Sequence, residues 1–237
     1  MKKFIVTLAP LLIVLSSVPS YAQWSTDPSD NLIVGYGLLP EICSDSAGGC
    51  YITYDQNTTY PRHLILERLD RYGYKPWGSG KQMTGLFHEQ SGAKIVEDGH
   101  SGVIVAYGDL EELLDSLDFT HITSRLRLQR VDSSGNFLWG TNGITVSLTD
   151  TNQWVDAIVS GGHGDCFVLW GDITQALRIQ RIDSMGVRAW GDSGLTIATG
   201  VQDPALLCYD KTVDAVIGYH VDGEFKTQRI SKEGLFL

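Results

Sequence analysis

The sequence predicts an all-β protein built from about four copies of one four-stranded antiparallel unit. Three observations carry the prediction: few charges beside many aromatics, a recurring Arg-x-Asp-x-x-Gly-x-x-x-Trp pattern, and an apolar run upstream of each copy. Of the 237 residues, 43% are hydrophobic, 19% charged and 10% aromatic, with 26 Gly against 7 Pro. That is a globular composition, remote from disordered or collagen-like chains. The formal net charge of -10 would repel a phosphate backbone, so no nucleic-acid partner is expected.

The repeats are plainest at the arginines. Leu66-Glu-Arg-Leu-Asp-Arg-Tyr-Gly-Tyr-Lys-Pro-Trp77 aligns with Leu128-Gln-Arg-Val-Asp-Ser-Ser-Gly-Asn-Phe-Leu-Trp139. Ile179-Gln-Arg-Ile-Asp-Ser-Met-Gly-Val-Arg-Ala-Trp190 is a third copy, and Thr227 to Leu237 is a fourth that stops one place before its Trp. Arg68, Arg130, Arg181 and Arg229 are separated by 62, 51 and 48 residues, a spacing that belongs to structural repeats. Upstream of each copy lies a Gly- or Asp-rich turn, then an apolar run ending in Tyr54, Tyr107, Trp170 or Tyr219 and shortly an Asp.

Each unit reads as strands A to D. A is the short apolar segment before the turn: Leu38 to Cys43, Lys94 to Val96, Val155 to Val159, or Pro204 to Cys208. B is the apolar run, expected to be buried on both faces. C alternates apolar and polar residues, as a half-exposed strand does. The Asp-x-x-Gly turn, with Asp70, Asp132 or Asp183, leads to a strand D that carries Trp77, Trp139 or Trp190. Four antiparallel strands per roughly 50 residues, the inner ones buried, is the order of a β-propeller blade. The blades run over about 24–77, 77–139, 139–190 and 190–237. Trp24 fits the Trp of a D strand. The chain therefore either closes as a four-bladed ring or forms part of a larger propeller.

The Asp-x-x-Gly-x-x-x-Trp hairpin resembles the repeat of PQQ-like β-propellers, and the whole unit resembles blades of secreted bacterial propeller proteins. The resemblance covers nearly all of the chain after residue 22 and implies a fold rather than an activity. The chain lacks the adjacent cysteine pair of quinoprotein enzymes, so no quinone, and no other cofactor or metal, is expected. The hairpin also resembles the Asp-box of sialidase-type propellers, but Arg stands in place of Ser and the Gly and Trp are displaced.

Residues 1–22 read as a signal peptide: Lys2 and Lys3, an apolar stretch from Phe4 to Val18, then Ser20-Tyr21-Ala22 before the cleavage point. The apolar run falls short of the roughly 20 residues that span a bilayer, and no second run is long enough. A secreted or periplasmic protein without a membrane span after cleavage is expected. Export lets disulfides persist, and spacing favours Cys43 with Cys50 across a hairpin turn, leaving Cys166 and Cys208 as buried thiols. Asn57-Thr-Thr59 is a sequon, discounted because the signal looks bacterial.

Residues found in every blade are expected to serve the fold. The tryptophans should pack between blades and the turn aspartates should bind turn amides. Arg68, Arg130, Arg181 and Arg229 either form an anion-binding ring or pair with the Asp near the end of their own B strand: Asp55, Asp109, Asp172 or Asp222. What differs between blades is Leu110 to His121, expected as a short amphipathic helix with Glu111, Glu112, Asp115 and Asp118 on one face. These four acids form the candidate binding loop. His100 and His163 occupy equivalent turns, which favours a turn role over a metal site. Gly78-Ser-Gly-Lys81 lacks phosphate-loop spacing, and neither G-x-S-x-G nor H-E-x-x-H occurs. The expected function is that of a secreted non-catalytic module binding an unknown protein or glycan, or serving as a scaffold. The alternatives are a glycosidase-type hydrolase with acids at the channel mouth and a quinone- or metal-dependent oxidoreductase.

Overall fold

The computed structural model describes residues 23–56, 60–114, 120–149, 151–201, 204–210 and 214–237. The signal segment, the sequon, Asp115 and Asp118 lie outside the described residues. Every regular element among them is a strand. β1 (Leu38–Ser44), β2 (Cys50–Gln56), β3 (His63–Leu69) and β4 (Lys81–Gln82) form one antiparallel sheet in that order. β5 (Glu89–Glu97), β6 (Val103–Leu114), β7 (Thr120–Val131) and β8 (Ile144–Thr145) form the second. β9 (Gln153–Gly162), β10 (Asp165–Asp172), β11 (Ala176–Ile182) and β12 (Leu195–Thr199) form the third. The fourth has three strands among the described residues: β13 (Leu206–Asp210), β14 (Asp214–Val221) and β15 (Glu224–Ser231).

The first strands β1, β5, β9 and β13 pack on one another in that order, so the sheets fan out as blades of a propeller-type fold. Apolar packing lies between blades rather than inside any one. Tyr51 and Leu66 of the first blade meet Val105 and Val131 of the second. Leu126 and Trp139 of the second meet Ile158 and Trp170 of the third, and Phe167 and Ile179 of the third meet Ile217 and Ile230 of the fourth. A single sheet offers too little apolar area to stand alone, so each blade depends on its neighbours. The B strands of the two inner blades, β6 and β10, are buried on both faces as the sequence predicts, whereas β2 and β14 of the outer blades bury only one face fully. β1 is instead largely exposed, because no blade covers its far side.

The repeated turn is built as predicted. Asp132 Oδ1 accepts from the Ser134 and Asn136 amides at 2.9 Å each, and Asp70 and Asp183 do the same for 72 and 74 and for 185 and 187. Ser231 takes this part in the last blade. Gly135 has φ +86°, and a Cβ on it would lie 3.1 Å from the Trp77 indole of the preceding blade. The glycine thus serves both the turn and the junction. Trp77 Nε1 donates to Ser133 O at 3.1 Å and Trp139 Nε1 to Ser184 O at 3.2 Å, each across a blade boundary. The tryptophans precede the fourth strand rather than sit on it, since β4, β8 and β12 begin four to five residues later.

The arginines depart from expectation. Arg68 pairs with Asp45 at 2.9 Å, Arg130 with Asp98 at 2.8 Å, Arg181 with Asp165 at 2.5 Å and Arg229 with Asp214 at 2.5 Å. All four partners belong to the A–B turn or the strand start beside it, not to the end of B. The reason is register. Tyr51 faces Arg68 while Asp55 faces Leu64, so antiparallel pairing puts the arginine at the opposite end of B from Asp55. Asp109 and Asp172 take other partners, Arg127 at 2.6 Å and Arg178 at 3.1 Å. Arg68 and Arg130 also donate to Ser133 O and Ser184 O of the next blade, at 2.8 and 3.2 Å, the carbonyls that the tryptophans use.

Three other expectations are corrected. Cys43 and Cys50 are free: Cys43 faces Tyr51 and Cys50 faces Ser44, so the two point to opposite faces of the hairpin. Burial pushes the Cys43 thiol up to about 12. Cys166 is buried, but Cys208 is exposed. The described residues of 110–121 are strand rather than helix. β6 and β7 run on as a hairpin that pairs as far as Leu114 with Thr120.

The Arg130–Asp98 pair is 11% and 1% exposed, whereas Arg229 is 49% exposed. Arg130→Ala should therefore cost about 3 kcal/mol in urea denaturation, by leaving a buried carboxylate unpaired. Arg229→Ala should cost less than about 1 kcal/mol.

Candidate functional site

Where the repeat is broken, polar and aromatic groups gather beside the inner strands. β9 pairs Val155 with Trp170 and Ala157 with Leu169, so Asp156 is the extra residue of a bulge. A bulge re-aims its side chain out of the pleat. Asp156 borders a cavity of about 460 Å³ between the third and fourth blades, shared with Lys94 of β5, Trp154 of β9 and Gln175. Val201 and Pro204, from the connection entering the fourth blade, close the other side.

Each lining group has a local cause. Trp154 faces Gly171 across the ladder, and a Cβ at 171 would come within 2.7 Å of the indole. Only glycine lets the ring lie against the strand, and Trp154 still keeps 49% of its surface exposed. Gln175 turns the β10–β11 connection in the left-handed region, at φ +60°. Its neighbour Asp172 fixes that loop, with Oδ1 accepting from the Thr174 amide at 2.9 Å and Oδ2 from Arg178. The start of β9 is anchored by buried Gln153, which donates to Ser147 Oγ at 2.7 Å.

The electrostatics are uneven. Burial pushes the Asp156 carboxyl up to about 6, opposed by a hydrogen bond from the Ala205 amide. Lys94 forms an ion pair with Glu41 of the first blade, which commits that carboxylate. The cleft therefore offers an aromatic face, one carboxyl titrating near neutrality, an ammonium and a side-chain amide.

The structure does not gather the acids singled out in the sequence at this cleft. Glu111 lies on β6, 3.8 Å from Arg125, at the edge of a second cavity of about 320 Å³ with Tyr60, Phe87 and His88. Glu112 is the next residue of β6, and Asp115 and Asp118 lie outside the described residues. The His100 and His163 rings meet at a tilt, with centroids 5.8 Å apart, between neighbouring A–B turns. No cluster of three His, Cys, Asp or Glu able to hold a metal occurs among the described residues. Among those residues no helix is long and apolar enough to cross a membrane. The reading of strand A from its apolar run missed Trp154 and Asp156. Their signal is a charged residue beside a tryptophan at the start of a strand that should be apolar on both faces.

No protein-family model and no curated protein matches the chain. Among solved structures it is similar to an endo-arabinase from Bacteroides thetaiotaomicron VPI-5482, at 14% identity and a TM-score of 0.43, over 86% of this chain and 76% of that one. It is also similar to a protein of unknown function from Dyadobacter fermentans DSM 18053, at 9% identity and a TM-score of 0.34, over 85% and 82%. At these values neither likeness bears on the chemistry of the cleft.

An aspartate raised from 3.8 to about 6 weakens the fold above that upper value, where it must be charged while buried, and costs nothing below 3.8. Asp156→Asn should raise the melting temperature at about pH 8. The gain should shrink as pH falls through 6 and be gone by about pH 4.

Proposed function

We propose that the chain is an exported binding module that holds a glycan in the Trp154 cleft without cleaving it. The observation that carries this reading is the exposed Trp154 indole beside Asp156, Lys94 and Gln175. An apolar ring face suits the C–H face of a sugar, and convergent polar groups suit its hydroxyls. The acidic chain favours a neutral glycan over an anionic one. Hydrolysis with a carboxylate pair needs two acids about 5–10 Å apart, and here Glu41 is engaged by Lys94.

One observation favours the second reading, a glycosidase-type hydrolase. A carboxyl that titrates near 6 has the pKa expected of a general acid.

A panel of neutral oligosaccharides tests both readings by calorimetry and by release of reducing ends. Binding should weaken about tenfold or more in Trp154→Ala, equivalent to about 1.4 kcal/mol, with no new reducing ends. Reducing ends that disappear in Asp156→Asn would establish the hydrolase instead. Absence of binding across the panel would remove the glycan from the account.

A further inference from the structure

The A–B turns of the second and third blades place two imidazoles side by side. His100 and His163 have ring centroids 5.8 Å apart and planes crossing at 57°, so the rings are not stacked. Both residues are exposed. Neither ring has a hydrogen-bond or ion-pair partner among the described residues. The turn itself does not call for histidine. In the first blade Ala47 holds the matching place: its amide donates to Asp45 Oδ1 at 2.8 Å, as the His100 amide does to Asp98 Oδ1 at 2.7 Å. His163 adopts φ +55°, a left-handed conformation that glycine would take without strain. Two histidines thus stand where alanine serves one turn and glycine would suit the other better.

The backbone holds the two turns together. The Gly164 amide donates to Asp98 O at 2.8 Å, and a Cβ on Gly99 would lie 3.1 Å from the His163 backbone nitrogen. The blade junction therefore sets how close the two rings come. A metal–imidazole bond of about 2.1 Å puts an ion about 3.2 Å from the ring centre, so two rings sharing one ion stand roughly 5 to 6.4 Å apart. The observed separation falls in that range. The carboxylates of these turns are committed, Asp98 to Arg130 and Asp165 to Arg181, and Glu97 accepts from Ser46 Oγ. The donors left free are nitrogens, which suit Zn²⁺, Cu²⁺ or Ni²⁺ and not the oxygen-seeking Ca²⁺ or Mg²⁺.

We propose that His100 and His163 together bind one divalent transition-metal ion across the junction of the second and third blades. Two protein donors leave the remaining positions to water or to a donor on a bound molecule, an open arrangement rather than the closed four-ligand kind. A cavity of about 630 Å³, bordered by His163, Glu97, Cys208 and Lys232, gives room for that donor. The net charge of -10 favours the approach of a cation. His163 follows the far end of β9 from Trp154, so the site is separate from the proposed glycan cleft.

Calorimetry of the untagged chain with Zn²⁺ tests this. Zn²⁺ should saturate at one ion per chain, and Ca²⁺ and Mg²⁺ at equal concentration should not compete. His100→Gln and His163→Gln, both at exposed positions, should each weaken Zn²⁺ binding about tenfold or more. Their near-UV circular dichroism spectra should be unchanged. Cys208→Ser should leave the affinity within about twofold. Failure of Zn²⁺ to saturate below about 1 mM overturns the proposal. Binding that survives both histidine substitutions, or that is lost in Cys208→Ser, also overturns it by placing the ion elsewhere.

Discussion

The arginine after each C strand's Gln or Glu is the constraint on which the blade series depends. Its guanidinium neutralises an aspartate of its own A–B turn and, in Arg68 and Arg130, also donates to a backbone carbonyl of the next blade. The aspartate is fixed from the other side: Asp98 Oδ1 accepts from the His100 and Gly102 amides at 2.7 and 2.8 Å. Burial works against the charge of Asp45, but the Ala47 and Gly49 amides and Arg68 hold its carboxyl below the ordinary value. A planar, always-charged donor with several N–H groups in a fixed fork serves both partners at once. The tryptophan donates to the same carbonyl, so polar and apolar parts of the junction are registered by one turn.

Because the apolar clusters lie between sheets, stability here is a sum over neighbours, and polar breaks are tolerated where a junction has polar atoms to spare. Asp55 shows what happens when a partner is lost. Ile65 stands where Arg127 and Arg178 stand in the next two blades, so the buried Asp55 carboxylate has no arginine on the facing strand position. Burial accordingly raises its pKa. The Trp154 cleft is another break, made by a bulge and a glycine rather than by an insertion. Lys94, Trp154 and Asp156 stand on strands, which gives them a fixed geometry, while Gln175 comes from the β10–β11 turn.

The repeat unit was legible because turn chemistry is local. Asp132 and Gly135 sit three residues apart and their roles follow from the backbone between them. The arginine partners were not legible, since Asp98 and Arg130 are brought together only by the register of β6 with β7. Leucines at 110, 113, 114 and 117 carry a helical period, yet the β6–β7 ladder extends to Leu114 and tertiary pairing overrides the period. The cysteines at 43 and 50 flank a turn as expected, but one step of register separates facing from alternating. Asp156 was hidden for the opposite reason: strand A was read only from its apolar members, and a bulge breaks period two.

Hydrogen exchange in an Arg130→Gln variant tests the junction most directly. If the guanidinium joins two blades, protection should fall together at the Asp98–Gly102 turn and at the Ser184–Trp190 hairpin of the following blade. Loss confined to the first of these, with the second as protected as before, would show that the arginine stabilises only its own sheet.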